Sequence, residues 1–257
     1  MCLIVFSYKQ HPEYDLIFAA NRDEFYRRPT KAAHFWQEHP QVLAGKDLQA
    51  GGTWMGITKS GAFSAITNYR DFSMMKENPP SRGHLVLDYL VDGSSAESYL
   101  NRVDRNADRY NGFNLLVGTI DELRYYSNKR KEQVRLNPGL YGLSNHLLNT
   151  PWPKVERARK ELQLAMENGE LTEERLIELL KNEERAPEDL LPQTGLPTEL
   201  ERAVSSVFIK TEMYGTRAST ILLIDKDGHV TFTERQYKPE KEEGEETSRF
   251  EFDIVPP

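Results

Sequence analysis

The chain has 257 residues, enough for one large domain or two small ones, and carries 33 Lys and Arg against 40 Asp and Glu, a net charge of −7. That balance, without a basic stripe, argues against general attraction to nucleic acid or an anionic membrane and leaves a small molecule or a protein as partner. One cysteine excludes an internal disulfide and suits a reducing compartment, and no apolar run approaches the ~20 residues a membrane span needs, so the expected location is the cytoplasm.

Residues 2–8 and 14–20 form two β-type runs around Gln10-His11-Pro12-Glu13, which has the punctuation of a hairpin loop. Pairing centred between His11 and Pro12 makes paired numbers sum to 23, with Leu3 opposite Ala20 and Cys2 opposite Asn21. Both alternating sets of the first strand are apolar, so each of its faces requires cover. Asn21-Arg22-Asp23-Glu24 follows at the end of the hairpin where Cys2 sits.

Strand patterns continue at 53–58 and 62–67, then at 113–119 and 123–127, each pair joined by a short turn, with helices expected over 82–91 and 96–103. After Pro151 the period changes. Val155, Ala158, Leu162 and Ala165 recur at helical spacing up to a stop at Gly169, and Thr172 caps a second helix carrying Leu176, Ile177 and Leu180. Strands return at 219–224, 230–236 and 249–255, the first two around the hairpin turn Asp225-Lys226-Asp227-Gly228, while Lys238 to Glu246 reads as a charged, solvated loop. Antiparallel hairpins at both ends with helices grouped between them predict an α+β fold, a layered sandwich forming a single domain over 1–257.

Cys2 carries the sharpest chemical signal. Once Met1 is removed, one residue holds a thiol titrating near ~8.5 and an α-amine near ~8, a nucleophile with its own base. A lone cysteine also reads as a small buried hydrophobe, so the surrounding residues must decide. Arg22 is suited to hold a thiolate or oxyanion, and Asp23 to accept from the ammonium; as an alternative, the two close a hairpin as an ion pair. Asn68, in Thr67-Asn68-Tyr69-Arg70, offers an amide to a developing oxyanion or serves as a turn residue, and Asn145 has the same two readings. Arg217, in Gly215-Thr216-Arg217, binds a substrate anion, supports the nucleophile or forms a surface ion pair.

Taken together, Met1-Cys2, Asn21-Arg22-Asp23-Glu24, Gly51-Gly52-Thr53-Trp54-Met55-Gly56, Thr67-Asn68-Tyr69-Arg70, Ser81-Arg82-Gly83, Leu143-Ser144-Asn145 and Gly215-Thr216-Arg217 resemble the NRDE family, also called the transport and Golgi organisation protein 2 family. That family resembles the N-terminal nucleophile hydrolases of the choloylglycine hydrolase and penicillin V acylase group. The resemblance implies a four-layer αββα sandwich of antiparallel sheets and cleavage of a non-peptide C–N amide through a thioester. It implies Cys2 as nucleophile, Arg22 and Asp23 as its contacts, Asn68 and Asn145 as active-site amides and Arg217 as a C-terminal arginine. Arg22 and Asp23 are adjacent here, whereas the hydrolases separate the two, and adjacent strand residues face opposite ways. No cofactor and no metal site is implied. The competing reading keeps the fold without the reaction, as a carrier for a hydrophobic ligand such as a lipid, acyl-CoA or haem.

Overall fold

In the computed structural model, which describes residues 3–238 and 244–255, the chain divides into two compact units. One contains the residues up to Arg27 with Pro138–Ser144 and Leu148–Glu251; the other contains Arg28–Asn137, Asn145–Leu147 and the residues from Phe252 on. Each is built on one antiparallel sheet with its own helices, which is the α+β class expected.

The first unit is organised by β1 (Leu3–Tyr8) and β2 (Tyr14–Phe25), continued by β10 (Gly139–Leu143), β11 (Tyr214–Asp225), β12 (His229–Tyr237) and β13 (Glu245–Asp253) in the order β10-β1-β2-β11-β12-β13. All six residues of β1 are buried, as its doubly apolar pattern requires. The odd-numbered set, Leu3 and Val5 with Ile17, Ala19, Ile221 and Leu223, packs under α3 (Pro153–Glu167) and α4 (Glu173–Leu180). On the even-numbered set Phe6 lies 5.0 Å from Tyr141 and 6.0 Å from Phe18.

The helical faces are those the period marks. Val155, Ala158, Leu162, Leu176, Ile177 and Leu180 are all buried, and complete burial of one such leucine is worth roughly 1.5–3 kcal/mol. Thr172 caps α4 by accepting from the Arg175 N–H at 3.1 Å, and beyond α3 the chain turns through Gly169 at φ +68°. At the β11–β12 turn, the Asp225 carboxylate accepts from the N–H groups of Asp227 and His229, with Gly228 at φ +84°.

The first hairpin departs from its expected register. Leu3 pairs with Asn21 and Val5 with Ala19, so paired numbers sum to 24 and the loop is centred on Pro12. An odd-numbered loop is available because Lys9 adopts φ +52° while its N–H donates to Asp15 O at 2.8 Å. The slip exchanges the facing partners along the whole ladder.

The second unit is a seven-stranded meander, β3 (Thr30–Phe35), β4 (Val42–Asp47), β5 (Met55–Thr58), β6 (Phe63–Asn68), β7 (Phe113–Gly118), β8 (Leu123–Ser127) and β9 (Glu132–Arg135), each strand hydrogen-bonded to the next. Between β6 and β7 the chain inserts α1 (Gly83–Asp92) and α2 (Ala96–Asn106), whose Leu85, Val86, Leu90, Tyr99 and Leu100 pack on Val42, Ile66, Leu115 and Val117. Strands β3, β4, β9 and β10 and the short helix α5 (Thr198–Ala203) had no counterpart in the sequence reading. The β13 strand begins four residues before the expected 249.

Candidate functional site

Arg22, Asp23 and Arg217 lie inside long strands, although the strand patterns expected at 14–20 and 219–224 stop short of them. The reason is that β2 and β11 pair over nearly their full lengths, from Tyr214 opposite Phe25 to Asp225 opposite Tyr14. A register irregularity between Thr216 and Ala218 puts Arg217 in a bulge, where a side chain is turned out of strict alternation.

Along β2 the motif splits between the two faces. Asn21 is 0 % exposed, and its Nδ2 donates to the carbonyls of Leu180 at 2.8 Å and Val207 at 2.9 Å. Its Oδ1 accepts from Ser219 Oγ at 2.6 Å, and Ser219 Oγ in turn accepts from the Tyr237 hydroxyl at 2.9 Å. Burial pushes the Tyr237 phenol up to about 12, so it remains a donor at neutral pH. Asp23 faces the same way: its Oδ1 accepts from Thr216 Oγ1 at 2.7 Å, and that hydroxyl accepts from the Ile209 N–H at 2.9 Å. Arg22 takes the other face, where its Nη2 stands 3.9 Å from Glu24 Oε2. Both Arg22 and Asp23 are 4 % exposed, so two opposite charges are held almost dry on the two sides of one strand.

Arg217 Nη1 donates to the carbonyls of Phe25 at 3.0 Å and Tyr26 at 2.7 Å, tying off the end of β2. Gly215 beside it accommodates close packing: a Cβ there would lie 2.2 Å from the Tyr26 hydroxyl and 2.5 Å from Ile209 O. Cys2 lies outside the described residues.

In the second unit, Asn68 closes β6, and Asn145 follows two residues after β10. Asn145 Nδ2 donates to Asn68 O at 3.1 Å, its Oδ1 accepts from Arg70 Nη2 at 3.3 Å, and its backbone O accepts from the Arg70 N–H at 2.8 Å. These bonds bring the two asparagines together. The Asn68 side-chain amide itself makes no hydrogen bond to another described residue, and alternation groups it with Ile66 on the helix-covered face. His146, whose ring stands 5.0 Å from that of Tyr69, titrates below its ordinary value because of burial and then the charges of Arg130 and Lys129.

The sequence reading missed the polar residues on the other face of this sheet. Asn114 Nδ2 donates to Thr67 Oγ1 at 3.0 Å and to His146 O at 2.9 Å, while Asn114 Oδ1 accepts from the Tyr125 hydroxyl at 2.7 Å. Asn114 sits in an otherwise apolar strand, FNLLVG, and that single interruption was the available signal. The Gly52 and Gly83 motifs have a packing cause: a Cβ on Gly52 would meet Gly83 C at 2.6 Å, so two backbones separated by a strand pair cross at van der Waals distance. Among the described residues no group of three or more His, Cys, Asp or Glu is placed to hold a metal ion.

Fold and site define an α+β protein with two antiparallel sheets, each bearing buried, hydrogen-bonded polar residues on strands close to the start of the chain or to Asn145. The chain belongs to the Transport and Golgi organisation 2 family, whose model matches residues 1–239. It is 40% identical over 275 residues to the Transport and Golgi organization protein 2 homolog of Bos taurus, covering 98% of this chain and 99% of that one. The Mus musculus homolog is 37% identical over 275 residues, covering 99% of each chain. Among solved structures, the conjugated bile acid hydrolase from Clostridium perfringens aligns over 100% of this chain and 98% of its own with 9% identity and a TM-score of 0.49.

Proposed function

We propose that the chain is an N-terminal cysteine amidohydrolase-like protein that cleaves a non-peptide C–N amide of a small or acyl-bearing molecule. After loss of Met1, the Cys2 sulfur attacks the amide carbonyl and its proton passes to the Cys2 α-amine. That amine gives the proton to the departing nitrogen as the C–N bond breaks, leaving a thioester. Water then adds to the thioester, and its proton returns to the sulfur as the acid leaves.

The observation that carries this reading is the register of β1 on β2. The ladder reaches Leu3 opposite Asn21, so the strand that starts at Leu3 runs beside the stretch of β2 that carries Arg22 and Asp23. Arg22 is assigned to the sulfur and the oxyanion. Asp23 is assigned to the ammonium, which belongs to the backbone and is not tied to one face of a strand. Asn68 is assigned with a backbone amide to the oxyanion, and Asn145 and Arg217 to orienting the reacting groups. A good oxyanion donor is worth roughly 3–4 kcal/mol.

The test is mass spectrometry of wild-type and Cys2→Ala protein incubated with a panel of N-acyl amides. We expect intact protein lacking Met1, an acyl adduct on the Cys2 peptide, and turnover that Cys2→Ala abolishes. Retained Met1, or turnover that survives Cys2→Ala, overturns the proposal. Within the active protein, Asn68→Ala lowers kcat by about 10²–10³ if its amide serves the oxyanion, whereas a strand-end residue leaves kcat within threefold.

One observation favours the carrier reading: Asn145 Nδ2 and Arg217 Nη1 already donate to backbone carbonyls. Titration with acyl-CoA or haem beside the turnover assay separates the two, since saturable binding without product identifies carriage.

A further inference from the structure

A cavity of about 690 Å³ lies in the second unit between the C-terminal turn of α1 and the start of α2, over the ends of β4, β5 and β7. It is remote from Asn68. Ala62 and Gly118, which line it, flank the Phe63–Gly118 end of the β6–β7 ladder, whereas Asn68 pairs with Phe113 at the other end, about 17–20 Å away at ~3.3 Å per residue. Its volume falls within the ~300–1,000 Å³ of small-molecule sites.

The walls combine an apolar floor with one kind of charge. Val42, Leu90 and Ala96 are buried side chains of the floor, and Glu38, Asp121 and Glu122 are the charged residues of the rim, with no Lys or Arg among the lining residues. Glu38 is paired with Lys46 at 2.6 Å and Glu122 with Arg124, while Asp121 forms no ion pair among the described residues.

Tyr89 also lines the cavity and is 4 % exposed, yet its hydroxyl has no hydrogen-bond partner among the described residues. Other buried tyrosines do: Tyr99 donates to Leu85 O at 2.6 Å, Tyr125 to Asn114 Oδ1 at 2.7 Å and Tyr126 to Asp104 Oδ1 at 2.7 Å. The Tyr89 oxygen is not among the partnerless side-chain atoms sealed from solvent, and Tyr89 is one of the residues that line the cavity. A buried hydroxyl without a protein partner costs free energy unless something else satisfies it.

From this combination we propose that the cavity is a binding site for a small apolar amine, its hydrocarbon body on Val42, Leu90 and Ala96 and its ammonium between the Tyr89 oxygen and the acidic rim. A carboxylate or phosphate of the same size finds no Lys or Arg among the lining residues and meets the carboxylate of Asp121, which no cation among the described residues offsets. Burial, reinforced by the charge of Glu122, pushes the Tyr89 phenol up to about 12, which keeps the hydroxyl neutral at physiological pH.

The experiment is calorimetric titration of the full chain with tryptamine, with indole-3-acetate as the anionic counterpart of similar size. We expect saturable tryptamine binding, at least tenfold weaker binding of indole-3-acetate, a three- to tenfold loss in Tyr89→Phe and at least a tenfold loss in Ala62→Phe, whose ring takes up part of the cavity. Thermal melts establish that both variants fold, and Tyr89→Phe keeps the test decisive should Ala62→Phe fail to. Binding in Cys2→Ala is expected to be unchanged. Absence of saturable binding, equal affinity for the two probes, or affinity indifferent to Tyr89→Phe overturns the proposal; loss in Cys2→Ala assigns the amine to the other site and overturns it too.

Discussion

Asn21 shows how a motif residue can be read for chemistry and turn out to hold the fold. Its amide satisfies two backbone carbonyls and one hydroxyl in a place closed to solvent, at the point where α4 ends against β2. Removing it leaves the carbonyls of Leu180 and Val207 without this donor, and a buried unsatisfied group costs about 1–3 kcal/mol. We expect Asn21→Ala to lower unfolding free energy by about 3–5 kcal/mol in urea titrations, with an unchanged midpoint as the contrary result. Thr216 is a second such case, because its hydroxyl donates to Asp23 and accepts from Ile209 at once. Thr216→Val should cost about 1–3 kcal/mol and Thr216→Ser should recover most of it; a loss in Thr216→Ser with none in Thr216→Val would show that the methyl group matters and the hydroxyl does not. The opposite facing of Arg22 and Asp23 was legible from strand alternation alone. The partners of Asn21 were not, since Leu180, Val207 and Ser219 lie more than 150 residues away and meet it only through tertiary packing.

At the scale of elements, the glycines separate two physical causes that sequence cannot tell apart. Gly52 has ordinary backbone angles but no room, its added Cβ lying 2.6 Å from Gly83 C and 2.8 Å from Gly83 O. Gly93, which ends α1 at φ +70°, has nothing within 4 Å of an added Cβ, so only its left-handed conformation resists substitution. Gly52→Ala therefore has to push two backbones apart and should cost about 3 kcal/mol or more, whereas Gly93→Ala should cost about 1–2 kcal/mol. Thermal unfolding of both variants checks the order, and Gly93→Ala proving the more damaging would show that the close approach yields. The hairpins, the α3–α4 pair and the Thr172 cap were legible because period and punctuation agree there. Strand β9, Glu-Gln-Val-Arg with three of four positions exposed, carries no alternation to read, and the sheet holds it only because β8 offers a free edge.

For the whole molecule, the titrating groups fix the sign of the pH response. Burial lowers His11, opposed by Glu13, and burial together with Arg130 and Lys129 lowers His146. A histidine depressed in the folded state takes its proton first in the unfolded chain, so stability falls as pH drops below the unfolded value of 6.5 and the loss is complete below the folded value. Asp47 follows the depressed-carboxylate pattern: burial raises it, but the Arg28 hydrogen bond and the Ala50 and Gln49 N–H groups outweigh that and hold it low. Its contribution is present above the unfolded carboxylate value and lost as pH falls through the folded one. Melting temperature should therefore decline in two stages, gently from about pH 7 to 5 and further below about pH 4; a rise or plateau over the first interval would contradict the histidine assignment. Among the described residues no helix is long and apolar enough to cross a membrane.

The sequence by itself determined the α+β class, the strand and helix types of the longest segments, their caps and turns, and the residues worth testing, because local periodicity and backbone preference act within a few residues. Tertiary structure alone decided where those residues stand. Whether the first loop holds an odd or even number of residues depends on Lys9 accepting a left-handed conformation, and this sets which side chain faces which partner. The pairing of β2 with β11 joins segments about 190–210 residues apart, and it extends both strands over Arg22, Asp23 and Arg217, held by hydrogen bonds no local pattern encodes. Loop closure of that length is specified by the sum of many burials, not by any one stretch of chain.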